Sequence, residues 1–268
     1  MKKIVFGFLS IVAIECQNPR PAVLSSKFEV PSGTIIIGLI TQSGIYMAAD
    51  SRSAIRGANK HDVVAYFDSV NKIHRLKQFT VGISGPGALG TRLIDYVVED
   101  YNRSHEEDTS VLTTLKHFVA WVKKEYPNSL YPESDYLELI GAGYVSGRPQ
   151  VVGLMGNREA VYYAGAIASD SDIFRYGNVF QNSTYPLQKR FEEWISVWVL
   201  RSQKEFTVGG PISVVQIAES NKQNWIQNHF HSKYTSNAKL YEDIKNDRIA
   251  IHYTVPHGKD TVLDVLRH

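Results

Sequence analysis

An α+β fold, with sheets inside and helices outside, is the class this sequence predicts, and three observations predict it. Residues 35–40 and 45–49 are short continuous apolar runs separated by Gln42-Ser43-Gly44, the pattern of two paired buried strands joined by a turn. Two stretches with apolar residues at helical spacing follow, then a second group of strands, a second helical pair and a last apolar strand. Strands, two helices, strands, two helices and a strand in that order place helices over sheets that share a core.

Each element follows from local chemistry. The first hairpin puts Thr34 and Asp50 at the ends of neighbouring antiparallel strands, so the two residues come within a few side-chain lengths of each other. In residues 87–101, Leu89, Leu93, Ile94 and Val97 recur at helical spacing. Leu112, Leu115, Phe118, Val119 and Val122 do the same in residues 111–124. Residues 127–135 read as loop. Strands are predicted over 136–144, 150–154 and 160–163, separated by Ser146-Gly147-Arg148-Pro149 and by Gly156-Asn157. Residues 171–180 and 187–200, the latter carrying Phe191, Trp194, Ile195 and Trp198, are the second helical pair, and Gly209-Gly210-Pro211 introduces a strand over 212–217. Beyond residue 218 a helix around 239–245 and a strand over 249–255 are expected.

The chain has 268 residues, 43% of them hydrophobic and 21% charged, enough for one domain with a substantial core, and it contains no linker or repeat to divide it. Its net charge of +2 resides in residues 1–33, where Lys2, Lys3, Arg20 and Lys27 outnumber Glu15 and Glu29. The neutral remainder argues against nucleic acid as a partner, because phosphate binding draws on a concentrated excess of Lys and Arg. Lys2-Lys3 followed by the apolar residues 4–14 has the basic start and short core of an export signal, too short to span a membrane. The segment around Ala13-Ile14-Glu15-Cys16 lacks the small residue that processing prefers, so a cytoplasmic protein with a propeptide is the alternative to a periplasmic or secreted one. Cys16 is the only cysteine, which excludes a disulfide within the chain and a thiol nucleophile in its body.

Four features stand in order: Gly33-Thr34 opening the first strand, Asp50 ending the second, Lys72 in Val70-Asn71-Lys72-Ile73-His74-Arg75-Leu76, and the glycine-containing turn Gly82-Ile83-Ser84-Gly85-Pro86-Gly87. This pattern resembles the proteasome β-subunit family of N-terminal-nucleophile hydrolases, over about residues 33–218. The resemblance implies a four-layer αββα sandwich, a propeptide ending at Gly33, and a single hydrolase domain over 34–268 with an extension from about 219. It also implies a homo-oligomer, a peptide or unfolded-protein substrate, and no metal or organic cofactor.

In that family a Gly-Thr bond is cut to free a catalytic threonine. A threonine hydroxyl is a weak nucleophile, and a free α-amine, with a pKa of roughly 7.7 to 8.0, is a base suited to activating it near neutrality. By resemblance Thr34 is the nucleophile, Lys72 tunes it, Asp50 holds Lys72, Gly85 offers its N–H to the oxyanion, and Ser169 helps bind the terminal amine. Ile83 lines the substrate pocket and Arg52 adds an orienting charge. The chain departs from the family where Glu205-Phe206-Thr207-Val208-Gly209-Gly210 replaces an aspartate and serine before the glycine pair. Glu205 reaches the amine only with a longer side chain, and Val208 cannot hydrogen-bond. Taken singly, Thr34 also reads as a β-branched residue opening a strand and Lys72 as half of a structural ion pair. Three readings therefore stand: a threonine-type endopeptidase, a hydrolase of small amides, and an inactive scaffold subunit. His229-Phe230-His231 is a weaker metal motif without a third ligand.

Overall fold

A computed structural model describes residues 34–41, 44–57, 63–68, 70–85, 87–89, 92–127, 137–155, 158–162, 164–167, 208–228 and 237–267. Mixed α+β structure results, with four helices and several antiparallel sheets among these residues. The apolar runs at the start pair as expected. β1 (Ile36–Thr41) and β2 (Gly44–Ala49) form a hairpin in the register Ile36 opposite Ala49 through Thr41 opposite Gly44.

Two strands follow that the periodicity did not predict, β3 (Ser53–Arg56) and β4 (Val63–Phe67). Next come β5 (Ile73–Leu76) and β6 (Phe79–Ser84). Gly82, Ile83 and Ser84 therefore lie inside a strand, paired with β5 or with residues 138–140, rather than in a turn; glycine stands at 82 because a side chain there would collide with Ile36 of the facing sheet. The helix expected from residue 87 begins later. A small pair, β7 (Ala88–Leu89) with β8 (Arg92–Leu93), precedes α1 (Ile94–Ser104). In α2 (Val111–Glu125), Ser110 caps the start by accepting the Thr113 N–H.

The second strand group is β9 (Glu138–Val145), β10 (Arg148–Met155), β11 (Arg158–Tyr162) and an unanticipated β12 (Ala164–Ile167). β13 (Ser213–Ile217) and β14 (Gln223–Gln227) follow. The two helices expected over 171–200 lie outside the described residues.

One five-stranded sheet has the order β12-β1-β2-β13-β14 and the other β11-β10-β9-β6-β5. Ile36, Ile45, Met47, Ile73, Ile140, Val151, Val215 and Ile217 form one apolar cluster between them. The other face of the second sheet is covered by α1 and α2 through Val81, Ile83, Val97, Tyr101, Leu115 and Phe118. Burying such side chains is worth roughly 1.5–3 kcal/mol each, so the sandwich is a rigid support for whatever sits at its strand ends. Both faces of β1 are buried, Ile35 and Ile37 as fully as Ile36, which explains why its sequence is a continuous apolar run rather than an alternation.

The C-terminal stretch is not a loose addition. α3 (Asn237–Lys245), the short β15 (His252–Tyr253) and α4 (Gly258–Arg267) follow β14. Leu240, Ile244 and Val262 pack on Ile55, Val64, Ala65 and Phe67, while β15 pairs with β4. Of the strand expected over 249–255, only His252 and Tyr253 pair with β4, the Thr254 N–H adding a bond to the Val64 carbonyl at 3.0 Å, while Ile249, Ile251 and Val255 pack on this small core. Among the described residues no helix is long and apolar enough to cross a membrane.

Candidate active site around Thr34, Asp50 and Lys72

The β1–β2 hairpin continues one step past its last strand pair. The Asp50 N–H donates to the Ile35 carbonyl at 3.2 Å, and the Ile35 N–H returns a bond to Asp50 Oδ1 at 2.9 Å. This closure leaves Thr34 immediately beyond the paired strands and turns the Asp50 carboxylate back toward it. Lys72 arrives from the other sheet, one residue before β5, where its carbonyl accepts the Ile83 N–H at 2.9 Å and fixes the backbone.

The three side chains meet in a buried cluster. Lys72 Nζ lies 2.8 Å from Asp50 Oδ1 and 3.2 Å from Thr34 Oγ1. Thr34 is 7% exposed, Asp50 0% and Lys72 8%, so water screens their interaction little. Burial pushes the Lys72 ammonium below the ordinary lysine value of 10.5, and the adjacent Asp50 charge opposes that shift. A lysine with a depressed pKa beside a hydroxyl at hydrogen-bond distance can, in its neutral form, take the hydroxyl proton.

Asp50 is tied further. Its Oδ2 accepts the Gly209 N–H at 3.1 Å and the Arg52 N–H at 3.3 Å. Gly209 in turn accepts the Ser51 N–H at 3.1 Å. The Gly209-Gly210 pair, read from the sequence as the lead-in to a strand and matched by resemblance to the family's glycine pair, thus brings the Gly209 backbone onto the Asp50 carboxylate. Gly209 has φ 154° and a Cβ there would sit 2.6 Å from the Arg52 guanidinium carbon, so glycine is required for this approach.

Arg52 itself does not point its charge at Thr34. Its guanidinium pairs with Asp68 at 2.8 and 3.2 Å and lies 3.9 Å over the Tyr66 ring. Asp68 and Tyr66 belong to the β3–β4 region that periodicity missed, and no local pattern marks them.

Gly85 follows directly on β6 with φ 138°, a conformation that L side chains rarely adopt. Gly87 is different: it is exposed, and a Cβ there would meet only Ser53 Oγ at 3.8 Å. Ile83, expected in a substrate pocket, is 6% exposed and packs with the helix-side core. Beside the turn, Glu138 pairs across the sheet with Ser84. Burial pushes its carboxyl above the usual range, with a Ser84 hydrogen bond opposing.

Val208 is buried at 1% exposure. Ser169, Glu205 and the His229–His231 motif lie outside the described residues. Among the described residues no group of three or more His, Cys, Asp and Glu could hold a metal ion. No family model matches the chain, and no curated protein matches it.

Proposed function

We propose that this protein is a threonine-type amide hydrolase of the N-terminal-nucleophile class that cuts peptide bonds after freeing Thr34 from residues 1–33. One observation carries the reading: a buried lysine, below its usual pKa and held by a buried carboxylate, with its Nζ 3.2 Å from the Thr34 hydroxyl. The burial of both faces of β1 and the αββ stacking of α1, α2 and the two sheets favour a four-layer αββα arrangement.

In the intact chain the Thr34 nitrogen is an amide and cannot act as a base. Neutral Lys72 takes the Thr34 Oγ proton while Oγ attacks the Gly33 carbonyl carbon. The Gly33–Thr34 C–N bond breaks as its nitrogen is protonated, leaving residues 1–33 as an ester on Oγ, and water hydrolyses that ester. The released amine then serves Thr34 as a local base for the same attack on a substrate amide, and the Gly85 N–H stabilises the oxyanion.

A second reading has its own support. Asp50 accepts four hydrogen bonds, three of them from backbone N–H groups, which suits a structural tie in a non-catalytic subunit equally well. Kinetics separate the two. Lys72→Met and Asp50→Asn are each expected to lower peptide turnover by about a thousandfold or more, with the double variant little worse than either, as expected of groups that act as a unit. Folded single variants with unchanged turnover would leave only the structural reading.

The same resemblance makes the protein a homo-oligomer, and its basic, apolar beginning makes it an exported one. Light scattering of the processed protein and cell fractionation test these points separately, and an active monomer or a wholly cytoplasmic location would reject them.

A further inference from the structure

The C-terminal stretch reaches the site through a stack of side chains. In the three-stranded sheet β4 lies between β15 and β3, and Tyr66 of β4 stands opposite His252 on one side and Ala54 on the other. The Tyr66 and His252 rings are stacked, with centroids 4.8 Å apart and planes 16° from parallel. The Arg52 guanidinium, arriving from the β3 side, lies 3.9 Å over the same Tyr66 ring. Tyr66 is therefore held between a ring supplied by β15 and a cation supplied by the segment that follows Asp50. Thr254 fastens β15 in turn, its N–H donating to the Val64 carbonyl at 3.0 Å and its hydroxyl to the Val63 carbonyl.

What Arg52 touches gives the stack its consequence. Arg52 and Asp68 pair with each other and press together on the Gly209-Gly210 backbone. A Cβ at 209 would sit 2.6 Å from Arg52 Cζ, and one at 210 would sit 2.8 Å from Asp68 Cγ. Arg52 and Gly209 also donate their backbone N–H groups to Asp50 Oδ2, at 3.3 and 3.1 Å. A shift of the guanidinium therefore disturbs two donors on the carboxylate that holds Lys72. Charge acts in the same direction. Burial holds the Lys72 ammonium below its ordinary value, the Asp50 and Asp68 charges oppose that shift, and the Arg52 charge adds to it. With Arg52 displaced, less Lys72 is neutral and able to take the Thr34 proton.

We propose that His252 and Tyr66 are positioning residues for the Thr34 chemistry: by holding the Arg52 guanidinium in place they keep the Arg52 and Gly209 N–H groups on Asp50. Residues beyond 219, outside the span of the family resemblance, thereby help to set the reactivity of a site at the other end of the chain. The effect on rate rests on the threonine-hydrolase reading; the effect on Lys72 does not.

Cleavage of the bond between Gly33 and Thr34 in the full chain, followed by intact mass, tests this without a substrate. His252→Ala should slow cleavage about fivefold, the scale of one ring or cation–π contact, and Tyr66→Leu about tenfold. His252→Phe and Tyr66→Phe keep a stacked ring and should recover about half of the wild-type rate or more. In parallel, ¹³C-lysine spectra, with Lys72 assigned by its loss in Lys72→Met, should show the Lys72 titration moved upward in His252→Ala and Tyr66→Leu and restored in the two phenylalanine variants. A contact that only stabilised the fold would lower Tm without moving that titration. Wild-type cleavage and an unmoved Lys72 titration in both His252→Ala and Tyr66→Leu would overturn the proposal, as would a defect that the phenylalanine variants share in full. A wild-type chain that does not cleave refutes the hydrolase reading instead, and the Lys72 titration then decides the positioning role. Should Tyr66→Leu fail to fold, His252→Ala, at an exposed position, still decides it.

Discussion

Replacing Asp50 with asparagine should destabilise the protein more than removing its cationic partner. In the native site Oδ1 accepts from Ile35 N and Lys72 Nζ, and Oδ2 accepts from Gly209 N and Arg52 N. An asparagine keeps one oxygen and presents an NH2 group in place of the other, so two donors must face donors. With the amide nitrogen toward Gly209 and Arg52, two backbone N–H groups lose their acceptor at about 1–3 kcal/mol each. Lys72 loses its counter-charge as well, but its depressed pKa lets it shed the proton, which limits that part of the loss. The sum is about 3–5 kcal/mol, close to what breaking a buried pair generally costs, and corresponds to a fall in Tm of about 10 °C. Lys72→Met leaves Asp50 its three backbone donors and removes one charge-assisted bond, worth about 2 kcal/mol. Thermal unfolding followed by circular dichroism should therefore rank wild type above Lys72→Met above Asp50→Asn. Equal Tm values for the two variants, or the reverse order, would refute the hydrogen-bond accounting at Asp50.

The same lysine sets a pH dependence. Its folded pKa is below its unfolded value, so between the two the unfolded chain binds more protons and stability rises with pH toward 10.5. Denaturant unfolding at alkaline pH should show this rise in wild type and a smaller one in Lys72→Met; parallel profiles would mean that Lys72 is not desolvated. At the turn after β6, Gly85→Ala should cost about 1–3 kcal/mol because of its φ of 138°, whereas Gly87→Ala should stay within about 0.5 kcal/mol. Chemical denaturation of the two variants separates them, and equal losses would argue against the strain at Gly85.

What the sequence made legible was what local patterns encode. The continuous apolar runs in β1 and β2 declared buried strands, and the turn between them fixed the hairpin that turns Asp50 toward Thr34. The spacing in α2 was readable because Leu115, Phe118 and Val122 all face one core. Elements stabilised from a distance were not readable. β4 gains its partners from β3 and from β15, which lies near the far end of the chain, and the helix α4 buries Val262 on that same patch. Gly82 looked like turn chemistry because glycine in a strand is unusual, and only the approach of Ile36 from the other sheet explains it. In the site, Lys72 was found through the order of motifs. The Gly209 bond to Asp50 spans 159 residues, and nothing near either residue announces it.

The most direct test of the central claim is the N-terminal sequence of the protein purified from its native host, read together with its intact mass and its peptide turnover. The account predicts an active chain that begins Thr34-Ile35-Ile36-Ile37, and a Thr34→Ala variant that keeps the Gly33 junction and turns over nothing. A protein that is fully active with the bond between Gly33 and Thr34 intact would contradict it.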